Sequence, residues 1–282
     1  MVKYTIGDAL KKGIALLNEN KIETATLDAR IIMCHVIECD TLHLTLHRED
    51  QMTDDAADKF FELIGRRAES EPVSYITEKK EFMSMDYFVD SNVLIPRPDT
   101  EILVERALKE LNGINKPVVV DMCTGSGAIA LSLGKYLTDS RILALDISEG
   151  ALDVARKNAA ANGVDAEFAI HDVLTPYTGC MADAVVSNPP YIPTADIKTL
   201  EKDVADFEPL LALDGGEDGL VFYRAIVQNI SSCLKKGGLL AFEVGMGQAD
   251  DVKKLMESQF EKISIDCDLA GIERVVYGYL KK

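Results

Sequence analysis

No uninterrupted apolar run in these 282 residues approaches the roughly 18–20 that a membrane span requires, although 47% of the residues are apolar. The opening stretch, MVKYTIGDALKKG, lacks an apolar core of leader length. The chain is therefore expected to be soluble and cytoplasmic, with no membrane partner. CxxC pairs are absent, and the six cysteines (Cys34, Cys39, Cys123, Cys180, Cys233, Cys267) are scattered. That spacing speaks against a disulfide framework or a zinc ribbon and for reduced, buried thiols. His43 and His47 stand one helical turn apart, but no third ligand follows at motif spacing, so no metal is expected. Positive charge is also scarce: 30 Lys and Arg face 47 Asp and Glu, a formal net charge of −17. A surface of that sign is repelled by phosphate backbones, which argues against direct nucleic-acid binding. Internal repeats and low-complexity tracts are missing too.

What is present changes texture along the chain. Thr5 with Asp8 can cap a helix whose Leu10, Ile14 and Leu17 share a face. A second helical pattern, TLDARIIMCHVIE, places Leu27, Ile31 and Cys34 together, and Thr53 starts a third with Ala56, Phe60 and Leu63. Residues 1–75 thus read as a small helical bundle with no nucleophile or ligand cluster, the kind of module that binds a partner. Residues 76–98 read as a linker hairpin, with EFMSMDYFVDSNVLIP turning at Asp90–Asn92. Over 99–282 strands and helices alternate: PVVVDM, RILALD, AEFAI, ADAVVSN, GGLLAFEV, ISIDCD and VVYGYL are strands, and SEGALDVARKNAAANG is a helix ending at a glycine. Such alternation implies an α/β fold, a mainly parallel sheet covered by helices on both faces.

Three successive strand ends then carry polar signals. After the first comes the turn Cys123, Thr124, Gly125, Ser126, Gly127, whose glycines let backbone approach a ligand at the free amides of a helix N-terminus. Asp146 ends the second strand, where an acid accepts hydrogen bonds from ribose hydroxyls. Asp172 follows the third, beside Val173, which offers an apolar face to an adenine ring. A lone glycine turn is weak evidence of a ligand, but the three together point to a nucleoside cofactor at the carboxyl edge of the sheet. The turn has neither GxGxxG spacing nor a GxxxxGK[ST] loop. DMCTGSG instead resembles the D-x-G-x-G-x-G motif of class I S-adenosylmethionine-dependent methyltransferases, with Cys123 in place of the first glycine. Its small side chain is expected to be accommodated.

The fourth strand ends on SNPPY. Its N-P-P-Y tetrapeptide, Asn188, Pro189, Pro190 and Tyr191, resembles the signature of methyltransferases that modify a planar NH2 group. The nitrogen lone pair of such a group is delocalised and attacks poorly, so the site must fix its orientation towards the methyl donor. The Asn188 side-chain oxygen and the Pro189 carbonyl can each accept one N–H bond, proline stiffness holds the second acceptor in place, and Tyr191 can pack on the planar group.

The resemblance extends over almost the whole chain. EPVSYITEKKEF, VLIPRPDTEILVE, VVDMCTGSGAIALSL, LALDISEGALDVARKNA, VVSNPPYIP, FEPLLALDGGEDGLVFYRAI, LLAFEVGMGQ and DLAGIERVV together resemble the peptide chain release factor glutamine methyltransferase (HemK/PrmC) family. The resemblance implies a helical bundle joined by a hairpin to a class I methyltransferase domain with a Rossmann-like, seven-stranded sheet. It implies methylation of the side-chain amide of the glutamine in the GGQ motif of release factors, with the GGQ-containing domain as partner. Cofactor contacts would fall on Cys123–Gly127, Asp146, Val173 and Asn188, and glutamine contacts on Asn188 through Tyr191. Arg97, Pro98, Thr100 and Glu101 in PRPDTE match the release-factor type rather than the group that methylates a ribosomal protein, and a lid near the cofactor is expected there. The loop Glu208–Gly219 is long enough to be a substrate-side loop. Competing readings are a DNA adenine methyltransferase, which needs a basic target-recognition region, and a non-catalytic cofactor-binding module, supported only by Cys123.

Overall fold

The structure, a computed structural model, describes residues 4–282. The first three residues of the stretch read for a leader lie outside them. The chain forms two compact units. One comprises the described residues through Glu78 together with Glu201–Phe207, and the other comprises Lys79–Leu200 and Glu208–Lys282. Among the described residues no helix is long and apolar enough to cross a membrane.

The helical unit contains α1 (Ile6–Glu19), α2 (Ala25–Val36), α3 (Thr41–Leu46), α4 (Asp54–Ala68), the short α5 (Val73–Ile76) and, from further along the chain, α9 (Lys202–Phe207). Side-chain oxygens cap three of them: Thr5 accepts from Asp8 N–H, Asp40 from His43 N–H and Thr53 from Ala56 N–H. Leu17, Ile32, Phe60 and Leu63 meet in its core. The buried face of α1 runs through Ile6, Ala9, Gly13 and Leu17, so Leu10 and Ile14 only flank it. The face expected on α2 is wrong. Ala25, Asp28, Ala29, Ile32 and Met33 point inward, while Leu27 is 58% and Ile31 39% exposed. A polar anchor sets this rotation: buried Asp28 accepts from Arg67 Nε at 2.7 Å and from the Thr24 hydroxyl at 2.7 Å.

The second unit opens with a hairpin, β1 (Lys80–Phe82) against β2 (Met85–Tyr87). Its turn lies at Met83–Ser84, not at Asp90–Asn92 as expected. Both turn residues have positive φ, 49° and 57°, as a primed two-residue hairpin turn demands, although neither is a glycine or asparagine. Asp90 instead makes a local turn of its own, its carboxylate accepting from Asn92 N–H. After α6 (Glu101–Leu111) the strands β3 (Val118–Met122), β4 (Arg141–Asp146), β5 (Glu167–Ile170), β6 (Ala182–Ser187), β7 (Leu234–Glu243), β8 (Phe260–Cys267) and β9 (Glu273–Leu280) form one seven-stranded sheet in the order β5-β4-β3-β6-β7-β9-β8. The five from β5 to β7 are parallel, and β9 and β8 join antiparallel. The helices between them are α7 (Ala128–Tyr136), α8 (Glu149–Asn162), α10 (Val221–Asn229) and α11 (Ala249–Met256). Gly163 ends α8 in the left-handed conformation, as its sequence promised. Val119 and Val186 enter the apolar cluster on one face of the sheet, and Val120 and Val185 enter the cluster on the other. Burial on both faces explains why these strands read as continuous apolar runs.

Candidate functional site

Chain winding reverses at β3, which lies between β4 and β6. A doubly wound sheet leaves a crevice outside the strand ends at such a point. Here a cavity of about 400 Å³ opens, and it gathers Cys123, Thr124, Gly125, Ser126, Asp146, Asp172, Val173, Asn188 and Pro190. Gly127, Pro189 and Tyr191 do not line it.

The turn after β3 is held from within. Thr124 N–H donates to Leu145 O at 2.9 Å, Gly125 N–H to Asp146 Oδ2 at 2.8 Å and Gly127 N–H to Thr124 O at 2.9 Å. Several amides expected to be open to a ligand are thus spent on the protein, two on backbone carbonyls and that of Gly125 on Asp146, which reaches back from the neighbouring strand. Its other oxygen accepts from Ser148 N–H at 3.0 Å. Each carboxylate oxygen has two lone pairs, so Asp146 is oriented without being consumed. Burial raises its pKa, and the hydrogen bonds from the Ser148, Gly125 and Ile147 amides oppose that. Below the turn, fully buried Asp121 accepts from the Thr124 hydroxyl at 2.6 Å and from Ala130 N–H at 3.2 Å. Burial pushes its pKa up to about 7.

Cys123 adopts φ 64°, in the left-handed region that the motif glycine would occupy without strain. Its side chain packs against the apolar cluster beneath the turn, and burial pushes its thiol pKa up, so it serves as a neutral filler. At Gly125 (φ 55°) an added Cβ would meet no protein atom within 4 Å, so the backbone there faces open space. Gly127 faces inward instead, where a Cβ would stand 3.0 Å from Leu131 and 3.1 Å from Ala155.

On the other side, Ser187 donates to Met122 O at 2.6 Å and ties the end of β6 to β3. Asn188, the next residue, is half-buried at the cavity, with Nδ2 3.5 Å from Thr100 Oγ1. Tyr191 turns away from the cavity and is clamped. Gln248 Nε2 donates to its carbonyl at 2.9 Å, and a Cβ on Gly215 would stand 2.7 Å from its Cα. A Cβ on Gly245 would stand 3.0 Å from its ring. Burial pushes the Tyr191 hydroxyl pKa up, so the phenol stays protonated.

Arg97 and Thr100 of PRPDTE line the cavity, as do Pro209, Leu211 and Ala212 of the Glu208–Gly219 loop. An ion pair between Arg97 and buried Glu208 joins the two segments, and Arg274 holds Asp99 at 2.9 Å. Both segments therefore wall one cavity.

The comparisons with known proteins agree with this layout. A family model described as the PrmC N-terminal domain matches residues 8–77, and one described as the methyltransferase small domain matches residues 98–206. The release factor glutamine methyltransferase of Clostridium acetobutylicum is 42% identical, over 96% of this chain and 97% of that protein. Its counterpart in Moorella thermoacetica is 39% identical over 99% of each chain. The chain belongs to the release factor glutamine methyltransferase family. Among solved structures, a methyltransferase from Pyrococcus furiosus superposes with a TM-score of 0.56 at 15% identity, over 77% of this chain and 99% of that one. The hMettl16 catalytic domain gives 0.54 at 15% identity, over 82% and 84%. Both likenesses concern the class I methyltransferase fold alone.

Two side chains of this family member escaped the sequence reading. Buried Asn158 on α8 donates to Ser126 O at 2.9 Å and Phe88 O at 3.0 Å, and accepts from Phe88 N–H at 2.7 Å. It pins the cofactor-side turn to the segment after the hairpin. Nothing in ARKNAAANG marks it, because a helix asparagine reads as a surface residue. Glu243 did leave a signal: an acid closing the apolar strand LLAFE has no reason to be there for packing.

Proposed function

We propose that this chain transfers a methyl group from S-adenosylmethionine to the side-chain amide nitrogen of the glutamine in the GGQ motif of peptide chain release factors. The observation that carries the reading is the position of Asn188: directly after β6, on the wall of the cavity that Asp146 and the Cys123–Ser126 turn also line.

The residues present fit the cofactor. A cavity at the switch point, backbone open at Gly125, and an oriented acid with unspent lone pairs at the end of β4 suit a nucleoside carrying a charged amino-acid tail. Asp146 would take the ribose hydroxyls, Asp172 and Val173 the adenine, and Cys123 to Ser126 the methionine end. When bound, S-adenosylmethionine supplies a methyl group on a positively charged sulfur, so the acceptor needs alignment more than activation. Asn188 Oδ1, on the cavity wall, accepts one amide hydrogen and aims the nitrogen, and the Pro189 carbonyl, next in the chain but outside the cavity lining, takes the second once the substrate is seated. Pro189 and Pro190 keep that backbone stiff. Tyr191, clamped from outside the cavity, fixes the end of the segment.

A glutamine side chain is too small to single out one protein, so target choice has to come from surface beyond the reacting nitrogen. We assign that task to the helical bundle, residues 1–75, which has no catalytic candidate and exposes Leu42 (63%) and Leu46 (71%). The test is incubation with methyl-labelled cofactor and either a release factor or DNA, followed by mapping of the label. Label on the GGQ glutamine is expected, and label on adenine or on neither substrate would overturn the reading.

A further inference from the structure

Glu243 closes β7 after an apolar run, is 3% exposed, and has one carboxylate oxygen, Oε2, with no hydrogen-bond partner. The polar side chains of Thr100 and Asn188 lie beside this carboxyl group and favour its charged form, and Asn188 Nδ2 faces Thr100 Oγ1 at 3.5 Å. Other titratable groups surround it. Asp99 precedes α6, Arg274 comes from β9, Tyr191 belongs to the acceptor segment, and Tyr223 on α10 donates to the Glu243 backbone carbonyl at 2.8 Å. Arg274, the cation among them, is paired with Asp99 and Asp268. A buried acid without an ion pair destabilises a fold, so packing does not account for it.

The two ends of an asparagine amide have almost the same shape, and only hydrogen-bond polarity tells them apart. We infer that Glu243 and Thr100 act as a polarity lock on Asn188, holding its NH2 inward so that Oδ1 faces the NH2 of the incoming substrate. The inference rests on the acceptor being an amide, as proposed above. An ionised carboxylate can only accept, so the edge of Asn188 turned towards it must be the NH2. A protonated carboxyl, or a glutamine in its place, can donate, and Oδ1 can then swing inward. Asn188 would in that case present NH2 to NH2, and the substrate would lose an acceptor. Glu243 is thus a positioning residue, acting through Asn188.

Burial pushes the Glu243 carboxyl up to about 7, with the Asp99 charge adding to the rise and Thr100, Arg274 and Asn188 opposing it. The locked form therefore fades as pH falls through about 7 and is complete above it. The test uses the full chain with a whole release factor and labelled S-adenosylmethionine, from about pH 6 to about pH 9. For the parent, kcat should rise through about pH 7 to a plateau. Glu243→Gln should lower the plateau by roughly 100-fold, remove the acid limb near pH 7, and leave cofactor affinity and melting temperature near parent values. Thr100→Val should lower kcat in the same direction, and Thr100→Ser should recover most of that loss. A Glu243→Gln protein with the parent rate and the same acid limb would overturn the lock. If that variant does not fold, parent-like kcat in Thr100→Val overturns it instead. The parent's own activity on a release factor tests the function separately, since an active parent with an indifferent Glu243→Gln removes only the lock.

Discussion

The two walls of the cavity are built on opposite plans. On the cofactor side the polar groups are tied to the protein itself. Asp146 holds Gly125 and Ser148, Asp121 holds Thr124 and Ala130, and Asn158 holds Ser126. On the proposed acceptor side the backbone is clamped, but the side chains at the reacting position make few bonds: a 3.5 Å contact from Asn188 to Thr100 and a carboxyl with one oxygen unpartnered. A wall tied to itself keeps its shape whatever is bound, which suits a cofactor that is the same in every turnover. Sparsely bonded side chains on a fixed backbone leave their hydrogen-bonding capacity for the substrate. The difference teaches that losses on the two sides should appear in different measurements, affinity on one and rate on the other.

Asn188→Ala should give the largest effect, lowering kcat by about 100- to 1,000-fold while cofactor affinity changes by no more than about threefold. Single-turnover rates and calorimetry measure the two quantities, and an equal fall in both would erase the contrast between the walls. Asp146→Ala should do the reverse. Losing hydrogen bonds to a charged group is worth about 1.5–3 kcal/mol, so cofactor affinity should fall roughly 10- to 100-fold, with kcat at saturating cofactor little changed. A variant that binds the cofactor as the parent does would take the ribose role away from Asp146.

A smaller loss separates both walls from the bundle. Leu42→Asp with Leu46→Asp should reduce methylation of a whole release factor by about tenfold, an interface effect of about 1.4 kcal/mol, and leave a GGQ peptide unaffected. Equal loss on protein and peptide would return the bundle to a purely structural role. Cys123→Gly should change least. Relief of left-handed strain, about 1–2 kcal/mol, is partly offset by the greater freedom of glycine in the unfolded chain, about 0.4–1 kcal/mol. Melting temperature should move by only a few degrees and cofactor affinity by less than about threefold. A tenfold gain in affinity would mean that the thiol does crowd the ligand.

The sheet was legible because strands buried on both faces write themselves as apolar runs, and Gly163 marks the end of α8 in both sequence and structure. The cavity lining was legible for a different reason, because Asp146 closes β4 and Cys123–Ser126, Asp172 and Asn188 come just after the ends of β3, β5 and β6. What was hidden depends on contacts between distant segments. The hairpin turn at Met83–Ser84 has positive φ at residues that do not advertise it. The inward face of α2 is chosen by Arg67, from another helix, which draws Asp28 inside and leaves Leu27 and Ile31 out. Tyr191 was read as a wall of the acceptor site, but the cavity is lined by Pro190 and not by the tyrosine. Thr100 and Glu243 meet Asn188 only because α6 starts and β7 ends beside the end of β6, a fact of topology that no local pattern records.

The clamp on Tyr191 has a consequence for how a target is fitted. With Gly215 and Gly245 seated where no side chain has room, and Gln248 gripping the tyrosine carbonyl, the proposed acceptor segment is a jig with almost no play. A jig does not bend to the workpiece. The compliance needed to bring a protein-borne glutamine into register must therefore reside in the substrate's own loop, and targets should be graded by the suppleness of the strand that carries the glutamine before they are graded by its neighbours.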